Sequence, residues 1–175
     1  MTTCAGILLV GGASRRFGSP KALAVVEGET LAARAWRLLG ETCAERIAVG
    51  KRADALPLPF DVLDDGTEVR APIAGVVAGL RAARHDVAIV LPVDVPRLTA
   101  AAVLELAAAC RDAAVPPSGP LPGAYRRTAL PALERSLAAG RLALRDAIVE
   151  LDVATVDLDE TLLANVNTPG DVQRL

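Results

Sequence analysis

Two kinds of apolar pattern alternate along the chain. Short, continuously apolar runs stand at Ala5 to Val10 and within Asp86 to Pro96, as strands covered on both faces require. Arg46 to Gly50 and Phe60 to Asp65 are two further short strand candidates, and Leu151 to Leu158 alternates with a period of two. Between them the spacing becomes helical. Thr30 is placed as an N-cap before Leu31, Ala35, Leu38 and Leu39, and Gly40 reads as the stop. Pro72 takes a first helical position, Ile73, Val76, Val77 and Leu80 form one stripe, and Arg81 and Arg84 suit the last turn. A helix is expected from Thr99 to Cys110. After Arg111, "AAVPPSGPLPGAYRR" offers two short strand fragments, followed by a helix near Thr128 with Leu130, Leu133 and Leu137 on one face. The last helix starts in "NTPGDVQRL", where Thr168 as cap, Pro169 as first residue and Asp171 three places after the cap suffice by themselves.

Strand-helix alternation with doubly buried strands predicts a three-layer α/β fold with a mostly parallel central sheet. No repeat or low-complexity linker divides the chain, so residues 1–175 are expected to form a single domain. Ligands of such sheets bind beyond the carboxyl ends of the strands, which directs attention to the segments after Val10, Leu63 and Leu91.

Composition narrows the function classes. With 19 basic against 21 acidic residues, a net charge of −2 opposes a broad grip on nucleic acid. Hydrophobic residues make up 52% and aromatics only 2%, so the core is built from Val, Leu, Ile and Ala. Cys4, Cys43 and Cys110 show neither a disulfide framework nor a zinc spacing and read as reduced core thiols. No apolar run reaches the ~20 residues of a membrane span. The first residues lack a basic n-region, so no signal peptide is expected and a cytoplasmic protein is.

The candidate chemistry begins with "LLVGGASRRFGSPKAL", Leu8 to Leu23. Its glycines, at 11, 12 and 18, do not match a dinucleotide fingerprint, and Gly18 is followed by Ser19 rather than the Lys of a Walker loop. What remains is an anion nest at Gly11 and Gly12 with Arg15, Arg16 and Lys21 as cations, a set suited to a polyphosphate. Asp94 ends a strand that should be central, and it lies between Pro92 and Pro96. Asp64 and Asp65 end a neighbouring strand; either could supply a second site carboxylate, hydrogen-bond the nucleotide or be a solvated turn residue, with Asp64 preferred for the site. Asn165 and Asn167 are left unexplained by helix capping, while His85 reads as a surface or cap residue.

"LVGGASRRFGSPK" closely resembles the signature of the MobA-like nucleotidylyltransferases. "APIAGVVAGLRAA", "LPVDVPRLT", "GAYRR" and "NVNTPGD" resemble four later motifs of that family in the same order. The resemblance implies a Rossmann-like nucleotidyltransferase fold. Its closing motifs favour the molybdenum cofactor guanylyltransferase branch: transfer of GMP from GTP to Mo-molybdopterin, releasing pyrophosphate. It further implies that Leu9, Gly11 and Gly12 hold the nucleotide, that Arg16 and Lys21 stabilise the triphosphate and leaving group, and that Asp94 binds Mg2+. Asn165 and Asn167 match acceptor-side residues, and recipient molybdoenzymes or cofactor-synthesis proteins are the implied partners. Val10, Pro20, Ala71 and the Gly50-Lys51-Arg52 run depart from the guanylyltransferase pattern, and Pro20 also occurs in the cytidylyl branch. A cytidylyltransferase or other small nucleotidylyltransferase is thus the alternative enzyme, and a non-catalytic cofactor carrier the alternative of another class.

Overall fold

The computed structural model describes residues 3–11 and 20–172. In chain order the elements are β1 (Ala5–Leu9), β2 (Val25–Val26), β3 (Glu29–Thr30), α1 (Leu31–Thr42), β4 (Glu45–Gly50), β5 (Val62–Asp64), α2 (Pro72–Ala82), β6 (Val87–Pro92), α3 (Ala100–Ala109), β7 (Ala113–Val115), β8 (Gly123–Arg126), α4 (Leu130–Ala138), α5 (Leu144–Ala147), β9 (Val153–Thr155) and α6 (Pro169–Val172), with short 3-10 turns between some of them. Seven strands form one sheet in the order β5-β4-β1-β6-β8-β7-β9. β5, β4, β1 and β6 are mutually parallel, and β9 is parallel to β7. β8 runs antiparallel to both β6 and β7, so the sheet is mixed but mostly parallel.

The continuous apolar run of β1 follows from this position. Leu8 and Val10 point into a core shared with α1 and α3, including Leu31, Leu39, Val103 and Leu106. Ile7 and Leu9 point the opposite way, into a second core with Ile73, Val76 and Val77 of α2 and Leu133 of α4. Helices on both faces make three layers, and neither face of the strand can be polar. Ile7 and Leu8 are wholly buried, and burial of such a side chain is worth roughly 1.5–3 kcal/mol.

Local signals place the helix starts. The Thr30 side chain accepts from Ala33 N–H at 3.1 Å, the Thr99 side chain accepts from Ala102 N–H at 3.3 Å, and Pro72 opens α2. At α6, Asp171 reaches back to accept from the N–H groups of Asn167 and Thr168 at 2.9 and 2.8 Å, a reciprocal cap.

Several expectations are corrected. α1 does not stop at Gly40 but runs to Thr42. A Cβ at position 40 would lie 2.8 Å from the Arg46 guanidinium, which donates to the Trp36 carbonyl and stacks on the Trp36 ring at 4.6 Å. This glycine makes room for a side chain. Arg84 lies past the Ala83 cap of α2 and pairs with Glu45 at 3.0 Å. Of Leu151 to Leu158 only Val153–Thr155 pairs as strand, since its partner β7 is itself three residues long. The β2-β3 hairpin, turned through Glu27 and Gly28 at positive φ, and the short α5 are additions. His85 sits in the bend after α2, where its N–H donates to Glu45 at 3.3 Å. Among the described residues no helix is long and apolar enough to cross a membrane.

Candidate functional site

Because β5, β4, β1 and β6 run the same way, their last residues arrive at one edge of the sheet. The chain fills the β4-β5 side of β1 first and then crosses to β6 on the other side, so the strand order reverses around β1. A crevice at such a reversal is the expected ligand position. A cavity of about 650 Å3 opens there. Leu9, Val10 and Gly11 continue from β1, Gly50 and Lys51 from β4, and Val93 and Asp94 from β6; Ala71, Pro72 and Gly75 bring the start of α2 to the rim. A Cβ at Gly75 would sit 2.8 Å from Leu9 Cδ2, so glycine lets α2 close onto β1. The positive end of its dipole then faces the cavity.

Lys21 and Asp94 meet at one end. Lys21 Nζ donates to Asp94 Oδ2 at 3.0 Å and to Asn167 Oδ1 at 3.2 Å, joining residues 73 and 146 positions apart. The side chains of Lys21 and Asp94 are 18% and 23% exposed, open enough for a ligand to compete for either. The C-terminal segment is fastened independently, since Val166 N–H donates to the Asp94 carbonyl at 2.9 Å and its side chain is buried in the α1-α3 core. Asn165 and Asn167 flank that anchor and are exposed. The Asp94 carboxylate and the Asn167 amide oxygen are hard donors that already hold a cation, the Lys21 ammonium. That donor chemistry fits an Mg2+ ion, which accepts few protein oxygens and shares phosphate oxygens and water.

The other end holds a more deeply buried pair, in which Asp65 is a candidate from the sequence and its partner Lys51 is not. Lys51 Nζ lies 2.6 Å from Asp65 Oδ1, with side chains 11% and 6% exposed, and also donates to Thr67 Oγ1 at 3.3 Å. Asp65 Oδ1 accepts from Thr67 N–H at 3.0 Å. Asp65 lines the main cavity; Asp64 faces a smaller neighbouring hollow. The Asp64 carboxylate accepts from Gly66 N–H and Arg52 N–H, both at 2.8 Å, and these bonds hold its pKa below the usual carboxylate value. Asp64 therefore builds the turn while Asp65 reaches the cavity. The intervening segment, which supplies Asp54 and Leu56 to the wall, is tied to α1 by a stack of Phe60 on Trp36 with centroids 4.2 Å apart. Arg70 pairs with Asp54 at 3.0 Å across the same rim.

Leu9, Gly11, Lys21 and Asp94 thus share one cavity, Asn167 touches it through Lys21, and Asn165 stands alongside. Gly12, Arg15 and Arg16 lie outside the described residues. An apolar middle with charged pairs at two ends and a helix N-terminus at the rim suits a ligand with a flat body and an anionic tail.

Fold and site together define a nucleotidyltransferase. Residues 6–154 match the MobA-like NTP transferase domain family, and the chain belongs to that family. It is 34% identical over 189 residues to a probable molybdenum cofactor guanylyltransferase of Chloroflexus aggregans, covering 96% of this chain and 91% of the relative. It is 31% identical over 183 residues to a molybdenum cofactor guanylyltransferase of Pseudomonas putida, covering 97% and 96%. Among solved structures, molybdopterin-guanine dinucleotide biosynthesis protein A of Archaeoglobus fulgidus superposes with a TM-score of 0.82 at 24% identity, covering 97% of this chain and 95% of that one, a likeness of fold.

Proposed function

We propose that this chain is a molybdenum cofactor guanylyltransferase that transfers GMP from GTP to Mo-molybdopterin. The observation that carries the reading is the convergence of Lys21, Asp94 and Asn167, from three distant segments, at the end of the cavity. In the reaction an oxygen of the acceptor's phosphate forms a bond to the α-phosphorus of GTP. The bond from that phosphorus to the bridging oxygen breaks, and pyrophosphate leaves with the electron pair. Two anions must approach, so cations and fixed donors carry the catalysis. Lys21 supplies a mobile positive charge to the phosphates, and the α2 N-terminus supplies a fixed one. Asp94 would hold Mg2+, which neutralises phosphate charge when bound. Leu9 and Gly11 line the path of the nucleotide, Asp65 faces its far end, and Asn165 and Asn167 border the side left for the acceptor. Gly12 is assigned to the nucleotide and Arg16 to the triphosphate on the loop's sequence pattern and its family resemblance, and a cytoplasmic setting with recipient molybdoenzymes downstream completes the proposal.

Calorimetric titration with GTP and CTP, each with and without Mg2+, tests it. Magnesium-dependent binding of GTP in preference to CTP, with a guanine dinucleotide product once Mo-molybdopterin is added, is expected. Preference for CTP would select the cytidylyltransferase, and nucleotide binding without product would select the carrier.

A further inference from the structure

Cys4 and Cys43 lie far apart in sequence but touch in the fold. β1 and β4 pair in parallel with Ala5 opposite Glu45, and Ala44 N–H donates to the Cys4 carbonyl at 2.9 Å. That register carries the residue before β1 to the end of α1, where Cys43 is the cap. The Cys4 thiol donates to Cys43 Sγ at 3.5 Å, and Cys4 Sγ lies 3.8 Å from the Thr42 carbonyl oxygen. Cys4 is buried, whereas Cys43 is only half-buried, which makes Cys43 the member of the pair nearer to solvent. Cys110 sits elsewhere, buried, with its sulfur 3.6 Å from the Arg111 carbonyl oxygen.

We propose that Cys4 and Cys43 form a reversible thiol–disulfide exchange site for small-molecule disulfides of the oxidised glutathione type. The hydrogen bond between the two sulfurs lowers the Cys4 thiol against the effect of burial and raises Cys43, so the pair holds one proton between its two sulfurs after the other is lost. Cys110 lies apart from this pair, and burial pushes its thiol up to about 11.

The exchange balances in two steps. The pair first loses one proton, and the remaining proton passes to Cys4 as Cys43 Sγ attacks the small disulfide. A mixed disulfide forms on Cys43 and one small thiolate leaves. Cys4 then gives up its proton and attacks Cys43 Sγ, forming the internal disulfide and expelling the second small thiolate. Two protein thiols are oxidised, one small disulfide is reduced, and both released thiolates take up protons. The sulfurs must close from 3.5 Å to about 2.05 Å. The site lies at the amino end of β1, the opposite edge from the nucleotide cavity.

Incubation of the full chain with oxidised glutathione, followed by intact mass and non-reducing peptide mapping, tests the proposal. Loss of two hydrogens, linkage of Cys4 to Cys43, a Cys110 that alkylates only after unfolding, and reversal by dithiothreitol are expected. Cys43→Ser should block the change, and Cys110→Ser should leave it intact. Three results would overturn the proposal: glutathione that stays on Cys43 without ring closure, a linkage involving Cys110, or no mass change while a control dithiol peptide in the same tube oxidises. Since Cys43 is half-buried, folding of its serine variant can be checked by circular dichroism, and the wild-type map stands without it.

Discussion

Replacing Lys51 by alanine should weaken the fold more than any other single loss of charge at the cavity. The substitution strands Asp65, whose side chain is 6% exposed and whose Oδ1 lies 2.6 Å from the ammonium. Removing one partner of a buried pair costs about 3–5 kcal/mol, because the remaining charge stays desolvated. Two bonds survive on Asp65 Oδ1, from Thr67 N–H at 3.0 Å and Thr67 Oγ1 at 3.3 Å, which places the expected loss at the lower end, about 3 kcal/mol. For a chain of this size that lowers the melting temperature by roughly 6–12 °C. Urea unfolding of wild type, Lys51→Ala, Asp65→Asn and the double variant at pH 7 is the assay. The double variant should recover at least half of the Lys51→Ala loss, since no buried charge is left unpaired. A Lys51→Ala loss below about 1 kcal/mol, or strictly additive single effects, would refute the reasoning. The pair would then be no more than a surface contact.

Lys21→Ala should lower turnover by at least ~100-fold with wild-type unfolding, because the side chain is partly exposed and sits at the cavity rim; full activity in a pyrophosphate-release assay would remove it from the site. Asp94→Asn should lose activity and also flatten the Mg2+ titration, and an unchanged magnesium dependence would separate Asp94 from the metal. For Asp64 the prediction concerns pH. Its carboxyl is held low by the Gly66 and Arg52 N–H donors, so its contribution is present above the unfolded value of about 3.9 and is lost as pH falls through the lower folded value. Asp64→Asn should therefore make acid unfolding less steep below about pH 4, measurable by circular dichroism, and an identical acid limb would contradict the assigned bonds.

What the sequence disclosed follows from how local each signal is. β1 and α2 were legible because a doubly covered strand must be apolar throughout and because Pro72 marks a first turn without reference to the rest of the chain. The position of Lys21 and Asp94 beyond strand ends was legible for a related reason, since parallel strands deliver their ends to one edge. Gly40 misled because its role depends on Arg46, six residues on in sequence and across a turn. Asp64 and Asp65 are adjacent, and only the bend after β5 decides that the second faces the cavity while the first caps the turn. In the sequence Lys51 stands out only as a departure from the family pattern, because its partner lies 14 positions away. The contact of Cys4 with Cys43 depends on the register of β1 against β4, which no spacing rule carries. The sequence marks β8 as a strand fragment, but its antiparallel direction is a property of the sheet.

The central claim is that the cavity at the ends of β1, β4 and β6 transfers a guanylyl group. Its most direct test is pyrophosphate release by the purified chain with Mo-molybdopterin, Mg2+ and either GTP or CTP. Release of one pyrophosphate per molybdopterin guanine dinucleotide formed, with GTP and not with CTP, is the predicted result. Release with CTP in place of GTP, or none with either nucleotide, would contradict it.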